Sequence, residues 1–215
     1  MKVTVVLVTY GRAEVLGATI DSILSQSMAD FSLLISDDCS PDHTEAICRE
    51  YERRDPRVRY RRNPQRLGMP GNLNAAIREA DADFIANLHD GDLYHPRLLE
   101  RWTKALIACP DASFVFNSYQ NLAADGTPTT AVRADLPACF PGHVLLEKLY
   151  YRRWRFSSPV WGTVMARRSA YESEGLFDER FSFYADIDMW MRLAESHHVA
   201  YVDEHLIFLP SRESV

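Results

Sequence analysis

Carboxylates at the ends of short apolar runs are the residues of this 215-residue chain best placed to do chemistry. Residues 3–8 are largely apolar and lead into Thr9-Tyr10-Gly11-Arg12. Residues 31–36 lead into Asp37-Asp38-Cys39-Ser40, and residues 83–88 into His89-Asp90-Gly91-Asp92. If the three runs are neighbouring parallel strands, four carboxylates converge outside their carboxyl ends, where open α/β sheets bind ligands. Asp90-Gly91-Asp92 reads two ways. It is a turn, since Asp-Gly is turn chemistry, or a D-x-D site for Mn²⁺ or Mg²⁺, hard cations that take carboxylate and phosphate oxygens. Its place after a buried strand and beside a second acidic strand end favours the metal.

Asp38 precedes Ser40-Pro41 and so suits a turn. It equally suits the ring N–H that uracil, thymine or guanine presents beside its carbonyls. Tyr10 either stacks on such a base or packs at the strand end. The chain has no G-x-G-x-x-G after its first run and no P-loop, which argues against dinucleotide and P-loop ATP chemistry. Phosphate charge then falls to metal and to arginines such as Arg12 and Arg66. Gly68 fits a loop feeding a helix N-terminus, whose backbone N–H groups favour anions, with Asn72 just beyond it.

A further carboxylate lies in the helical stretch 184–196. Asp188 has Arg192 four residues on, a structural pair in the favourable order. Asp186 instead shares a face with Met189, Trp190 and Leu193. There burial raises a carboxyl pKa, as a general base needs. The competing role is a helix cap.

The elements that must position these residues follow from periodicity. Strands are expected at 3–8, 31–36, 58–61, 83–88, 113–117 and 163–166, with closing strands at 199–203 and 206–209. Helices are expected at 14–26, 42–54 (Asp42 as N-cap), 71–80, 96–108, 144–151 and 184–196. Residues 124–142, rich in Pro, Gly, Thr and Asp, read as a loop. The strand–helix alternation predicts an α/β fold with a mainly parallel sheet covered on both faces. One domain is expected over 1–215, with a nucleotide half to about residue 115 and an acceptor half beyond.

The chain is 47% hydrophobic and 25% charged, too apolar for disorder. Its net charge of −6 argues against a nucleic-acid partner. The four cysteines, at 39, 48, 109 and 139, have no C-x-x-C spacing. The first apolar run is too short for a signal peptide or a membrane span. These features predict free thiols and a cytoplasmic protein.

Taken in order, the segments resemble family 2 glycosyltransferases of the GT-A fold over residues 3–210. The segments are Val-Thr-Tyr-Gly-Arg at 8–12, Ser-Ile-Leu-Ser-Gln-Ser at 22–27 and Ser-Asp-Asp-Cys-Ser-Pro-Asp at 36–42. They continue with Asn-Pro-Gln-Arg-Leu-Gly at 63–68, with Asn72 and Asn74, and His-Asp-Gly-Asp-Leu-Tyr-His-Pro at 89–96. The last are Gly-Leu-Phe-Asp-Glu at 175–179 and Asp-Ile-Asp-Met-Trp-Met-Arg at 186–192.

The resemblance implies a metal-dependent inverting transfer from a UDP-, GDP- or dTDP-sugar, the UDP-sugar favoured, to a glycan, lipid-linked or protein acceptor. By position it implies nucleotide contacts at Thr9, Tyr10, Arg12, Asp38, Arg66, Gly68, Asn72 and Asp90. It also implies Mn²⁺ or Mg²⁺ on Asp92 with Asp90, and Asp186 as the base. Trp161, Gly162 and Trp190 fall on the acceptor side.

Three departures stand out. His89 occupies a place that is often acidic, as a metal ligand or a packed histidine. Ala185 precedes Asp186 where an acid is common. The Q-x-x-R-W signature of processive synthases is missing. The basic, aromatic run 150–156 either docks an anionic acceptor at the inner membrane face or is an exposed helix end. The alternative to an enzyme is a non-catalytic nucleotide-sugar-binding or scaffold domain, and a truncated C-terminus is compatible with either.

Overall fold

Strand alternation explains the layering. In the first strand Val5 and Leu7 point to one face, Val6 and Val8 to the other, and all four are buried. A strand covered on both sides is apolar throughout. The computed structural model describes residues 1–150 and 162–211. Trp161, Ser157, Ser158 and the basic–aromatic run from 151 onward lie outside the described residues.

The strands are β1 (Val3–Thr9), β2 (Ser32–Asp37), β3 (Val58–Arg62), β4 (Phe84–His89), β5 (Leu93–Tyr94), β6 (Ala112–Leu122), β7 (Pro128–Val132), β8 (Cys139–Pro141), β9 (Val164–Arg167) and β10 (His198–Pro210). The helices are α1 (Ala13–Leu24), α2 (Thr44–Arg54), α3 (Met69–Glu79), α4 (Leu98–Ala108), α5 (Gly142–Tyr150), α6 (Arg168–Glu174) and α7 (Ala185–Ser196). A 3₁₀ helix spans Glu179–Tyr184.

One sheet runs β3-β2-β1-β4-β9-β6-β10-β5, with β7 on β6 and β8 on β10. Helices α1, α2 and α4 cover one face through Leu16, Ile20, Ile23, Cys48 and Trp102. Helices α3, α5, α6 and α7 cover the other through Leu73, Ile77, Leu145, Tyr171, Met189 and Leu193.

The α/β architecture, with a mainly parallel sheet and helices on both faces, agrees with the sequence, and β6–β10 is parallel as well. Pairings β3–β2, β2–β1 and β1–β4 are parallel. Beyond β4, the short β9 runs antiparallel to both neighbours. The stretch 124–142 is not all loop: it holds β7 and β8, the first almost wholly exposed. The two expected closing strands are one irregular strand, β10, whose register against β6 shifts near His205.

Asp42 is not the cap of α2, which starts at Thr44. Its carboxylate instead accepts N–H bonds from Thr44 and Ala13, tying the starts of α2 and α1. The thiols also depart from expectation. Cys109, at the end of α4, is disulfide-bonded to Cys139 on β8, with Cα atoms 5.8 Å apart; Cys39 and Cys48 are free. The bridge joins residues 30 apart in sequence, brought together because β8 lies on β10, so no local spacing announced it.

Candidate active site

The ends of β1, β2 and β4 lie side by side, as the parallel pairings require. At the end of β2 the two aspartates have different work. Asp37 is fully buried; it accepts hydrogen bonds from the Tyr60 hydroxyl (2.7 Å), Arg62 Nη1 (3.0 Å) and the Ser40 N–H (2.8 Å). It belongs to the framework, so it drops out of the expected four converging carboxylates.

Asp38 accepts from Asn63 Nδ2 (2.9 Å) and from the N–H groups of Leu67 and Gly68 (2.8 Å each). Those two N–H groups therefore serve Asp38 and not an anion, contrary to the expectation for the Gly68 loop. Asn72 is also an internal brace: Nδ2 donates to the Ser36 carbonyl, while Oδ1 accepts from Ser36 Oγ and Asn63. It is 2% exposed and braces the Asp38 loop.

At the end of β1, Thr9 is buried and Tyr10 is 38% exposed. The Arg66 guanidinium lies 4.0 Å over the Tyr10 ring, a cation–π contact. Arg12 Nε is 4.0 Å from Asp90 Oδ1.

The residues after β4 form a turn, as Asp-Gly chemistry predicts, with Gly91 at φ +82°. A Cβ there would meet Arg12 Nη2 at 2.7 Å. Two residues that the sequence did not single out hold this turn. Thr19 Oγ1 accepts the Gly91 N–H and donates to the Asp92 carbonyl, both at 3.0 Å. The Tyr94 hydroxyl accepts the His89 N–H and donates to the His89 carbonyl, both at 2.9 Å. The only signal for Thr19 was a polar residue on the apolar face of its helix. Asp92 is 1% exposed and, with Asn121, Leu122 and Leu209, lines a cavity of about 440 Å³.

Asp186 reaches the same edge from α7. It is not the cap: Tyr184 holds that position and makes no side-chain cap bond. Asp186 Oδ1 accepts the Ile187 N–H at 2.7 Å. Burial pushes its carboxyl pKa above the ordinary range, outweighing the backbone N–H groups that pull it down. Gly162 is packed between His89 and Asp186. Asp188 pairs with Arg192 at 2.9 Å, as its spacing predicted, and Arg192 also donates to the carbonyls of Glu174 and Leu176.

Trp190, expected on the acceptor side, is in the core. Its ring centroid lies 5.4 Å from that of Phe114 and 5.6 Å from that of Phe177, and it is 2% exposed. It lies four residues after Asp186 on α7, and this turn of the helix faces the sheet.

The model of the family Glycosyl transferase family 2 matches residues 4–173. Among curated relatives, the UDP-Glc:alpha-D-GlcNAc-diphosphoundecaprenol beta-1,3-glucosyltransferase WfgD of Escherichia coli is 29% identical over 118 residues. That match covers 55% of this chain and 46% of WfgD. Among solved structures, S. aureus TarS in complex with UDP-GlcNAc superposes with a TM-score of 0.78 at 16% identity, covering 100% of this chain and 60% of that one. The mannosyltransferase PcManGT of Pyrobaculum calidifontis, with GDP-Man and Mn²⁺, gives 0.67 at 17% identity, covering 96% and 56%. The chain spans about half the length of the curated relatives it matches.

Proposed function

The chain belongs to glycosyl transferase family 2, and we propose that it moves a sugar, with inversion, from a nucleoside-diphosphate sugar to an acceptor hydroxyl in cell-surface glycan synthesis. A UDP-sugar is the first candidate donor and GDP- and dTDP-sugars the next; the acceptor is a glycan, lipid-linked or protein hydroxyl. The observation that carries this reading is the meeting of Asp186 with the β4 strand end, beside the polar ends of β1 and β2. The UDP-GlcNAc held by TarS and the donor and acceptor in the name of WfgD support it.

The residues divide the work. Tyr10 and Arg66 offer a stacking face and a cation beside the nucleotide. Asp38 uses three hydrogen bonds to fix its orientation and keeps lone-pair capacity for a base N–H. Asp90, held by Arg12, faces the ribose.

Among the described residues no three His, Cys, Asp or Glu side chains form a metal cluster. One or two carboxylates completed by a diphosphate is the pattern Mn²⁺ and Mg²⁺ accept, and the buried Asp92, with Asp90, fits it. Such an ion, when bound, neutralises charge on the departing diphosphate. Asp186 takes the proton of the acceptor hydroxyl as that oxygen bonds to the anomeric carbon and the bond from that carbon to the diphosphate breaks.

No helix among the described residues is long and apolar enough to cross a membrane. We propose, from the need for a nucleotide-sugar donor and not from the thiols, that the work is done in the cytoplasm, with at most peripheral contact at the inner membrane face.

The test is release of nucleoside diphosphate from a panel of UDP-, GDP- and dTDP-sugars with Mn²⁺. The expected result is turnover of one donor class, lost in Asp186→Asn. Binding without turnover of any donor would favour the scaffold alternative.

A further inference from the structure

His89 and Asp186 come together at a position that lacks a side chain. Strand β9 runs antiparallel to β4 with Val164 opposite Asn87. Carrying that register two residues further sets Gly162 beside His89. A Cβ on Gly162 would lie 2.6 Å from His89 Cε1, 3.1 Å from His89 Nε2 and 2.9 Å from Asp186 Oδ2. The first of these is shorter than any ordinary contact between non-bonded carbons. Gly162 does not occupy the left-handed region of backbone space. Crowding by the two functional side chains, and not backbone conformation, demands glycine here.

The two carboxylate oxygens are in different situations. Oδ1 is held by the Ile187 N–H. Oδ2 and the imidazole edge of His89 both border the space over the bare Cα of Gly162. His89 is itself anchored, because the Tyr94 hydroxyl binds both its backbone N–H and its carbonyl.

We infer that His89 and Gly162 are positioning residues for Asp186: His89 backs the carboxylate on the Oδ2 side, and the missing Cβ at 162 lets the two meet. This rests on Asp186 acting as the base. Functional groups are held best by neighbours that are themselves locked.

The experiment measures nucleoside diphosphate release by the full chain from UDP-Glc, UDP-GlcNAc, GDP-Man and dTDP-Glc, using whichever donor the wild type turns over. Displacing a base by an ångström costs about 100-fold, so Gly162→Ala is expected to lower kcat by about that factor with the donor KM and Tm little changed. In a His89→Ala background the added methyl enters vacated space, and the further loss from Gly162→Ala should shrink to less than about 10-fold, the non-additivity of touching residues.

Should Gly162→Ala fail to fold, the His89 variants decide. His89→Ala should lower kcat about 10-fold at unchanged KM, and His89→Gln should recover most of it. Wild-type kcat in Gly162→Ala or in His89→Ala, or equal losses from Gly162→Ala in both backgrounds, would overturn the inference. If wild type and Asp186→Asn turn over donor equally, the base assignment fails and the inference falls with it. If wild type turns over none of the donors, the transferase reading fails first.

Discussion

The two ends of the catalytic edge are built on different plans. Where β1, β2 and β4 end, several of the polar groups are tied into the framework. Asp38 has three donors, Asn72 is used at both ends of its amide, and the Gly91 turn is pinned from α1. Around α7 the carboxylate that matters has one backbone bond. The 3₁₀ helix before it leaves Phe181, Phe183 and Tyr184 exposed, and Ser182 within it sits at φ 48°. A rigid polar cradle suits a ligand of fixed chemistry, since little ordering cost remains on binding. An open, less braced region suits a partner that completes it. Under the proposed function, the difference makes the donor side preassembled and leaves the acceptor side to be finished by substrate.

That contrast can be broken by substitutions on either side. The largest effect is expected from Asp186→Asn, which should lower turnover by on the order of 1,000-fold, as loss of a general base does. It should not lower Tm. The folded pKa of Asp186 is raised, so the ionised form is disfavoured in the fold at every pH above the ordinary aspartate range, and the amide carries no charge to bury. A Tm fall of several degrees would mean that the carboxylate is structural.

Next comes Asp37→Ala on the donor side. It leaves the buried Tyr60 hydroxyl without its acceptor, while Arg62 keeps the Ser40 carbonyl and Glu45, and should cost about 1–3 kcal/mol in denaturant melts. A loss under about 1 kcal/mol would show that the cradle is softer than described.

Reducing the Cys109–Cys139 bridge should cost up to about 3.6 kcal/mol through loop entropy, read as a lower unfolding midpoint in dithiothreitol. Nucleotide affinity should stay unchanged, because the bridge lies away from β1, β2 and β4.

Thr19→Val should be milder, about 1–2 kcal/mol, from leaving the Gly91 N–H without its acceptor. Weaker nucleotide binding should accompany it, since the turn carrying Asp90 and Asp92 loosens. The smallest effect is on the pH profile. kcat should fall on the acid side with a midpoint above the ordinary aspartate range, and not within it, because the base must be ionised.

The donor half was legible in the sequence because buried parallel strands are apolar runs and their ends carry distinctive residues. Asp38 stands just after β2, and Asp90 and Asp92 just after β4, where those runs end. What they do locally was less legible: nothing in the order Asp37-Asp38 tells which carboxylate the fold buries against Arg62. The acceptor half was harder. The exposed β7 has no apolar alternation to read, β5 is two residues long, and α6 is too short for a helical period. Trp190 was misplaced because a helix with several apolar residues does not say which of them meets the sheet. The bearing of Gly162 on Asp186 emerges only from the β4–β9 register, a contact between distant parts of the chain.

The central claim is that the donor side is a preassembled nucleoside-diphosphate site completed through Asp92. Calorimetric titration of UDP, GDP and dTDP into wild type and Asp92→Ala, each with and without Mn²⁺, tests it most directly. The account predicts that one nucleotide binds wild type in a Mn²⁺-dependent manner and binds Asp92→Ala at least about 10-fold more weakly, a difference of about 1.4 kcal/mol. Equal affinity in the two proteins, or no binding of any nucleotide to wild type, would contradict it.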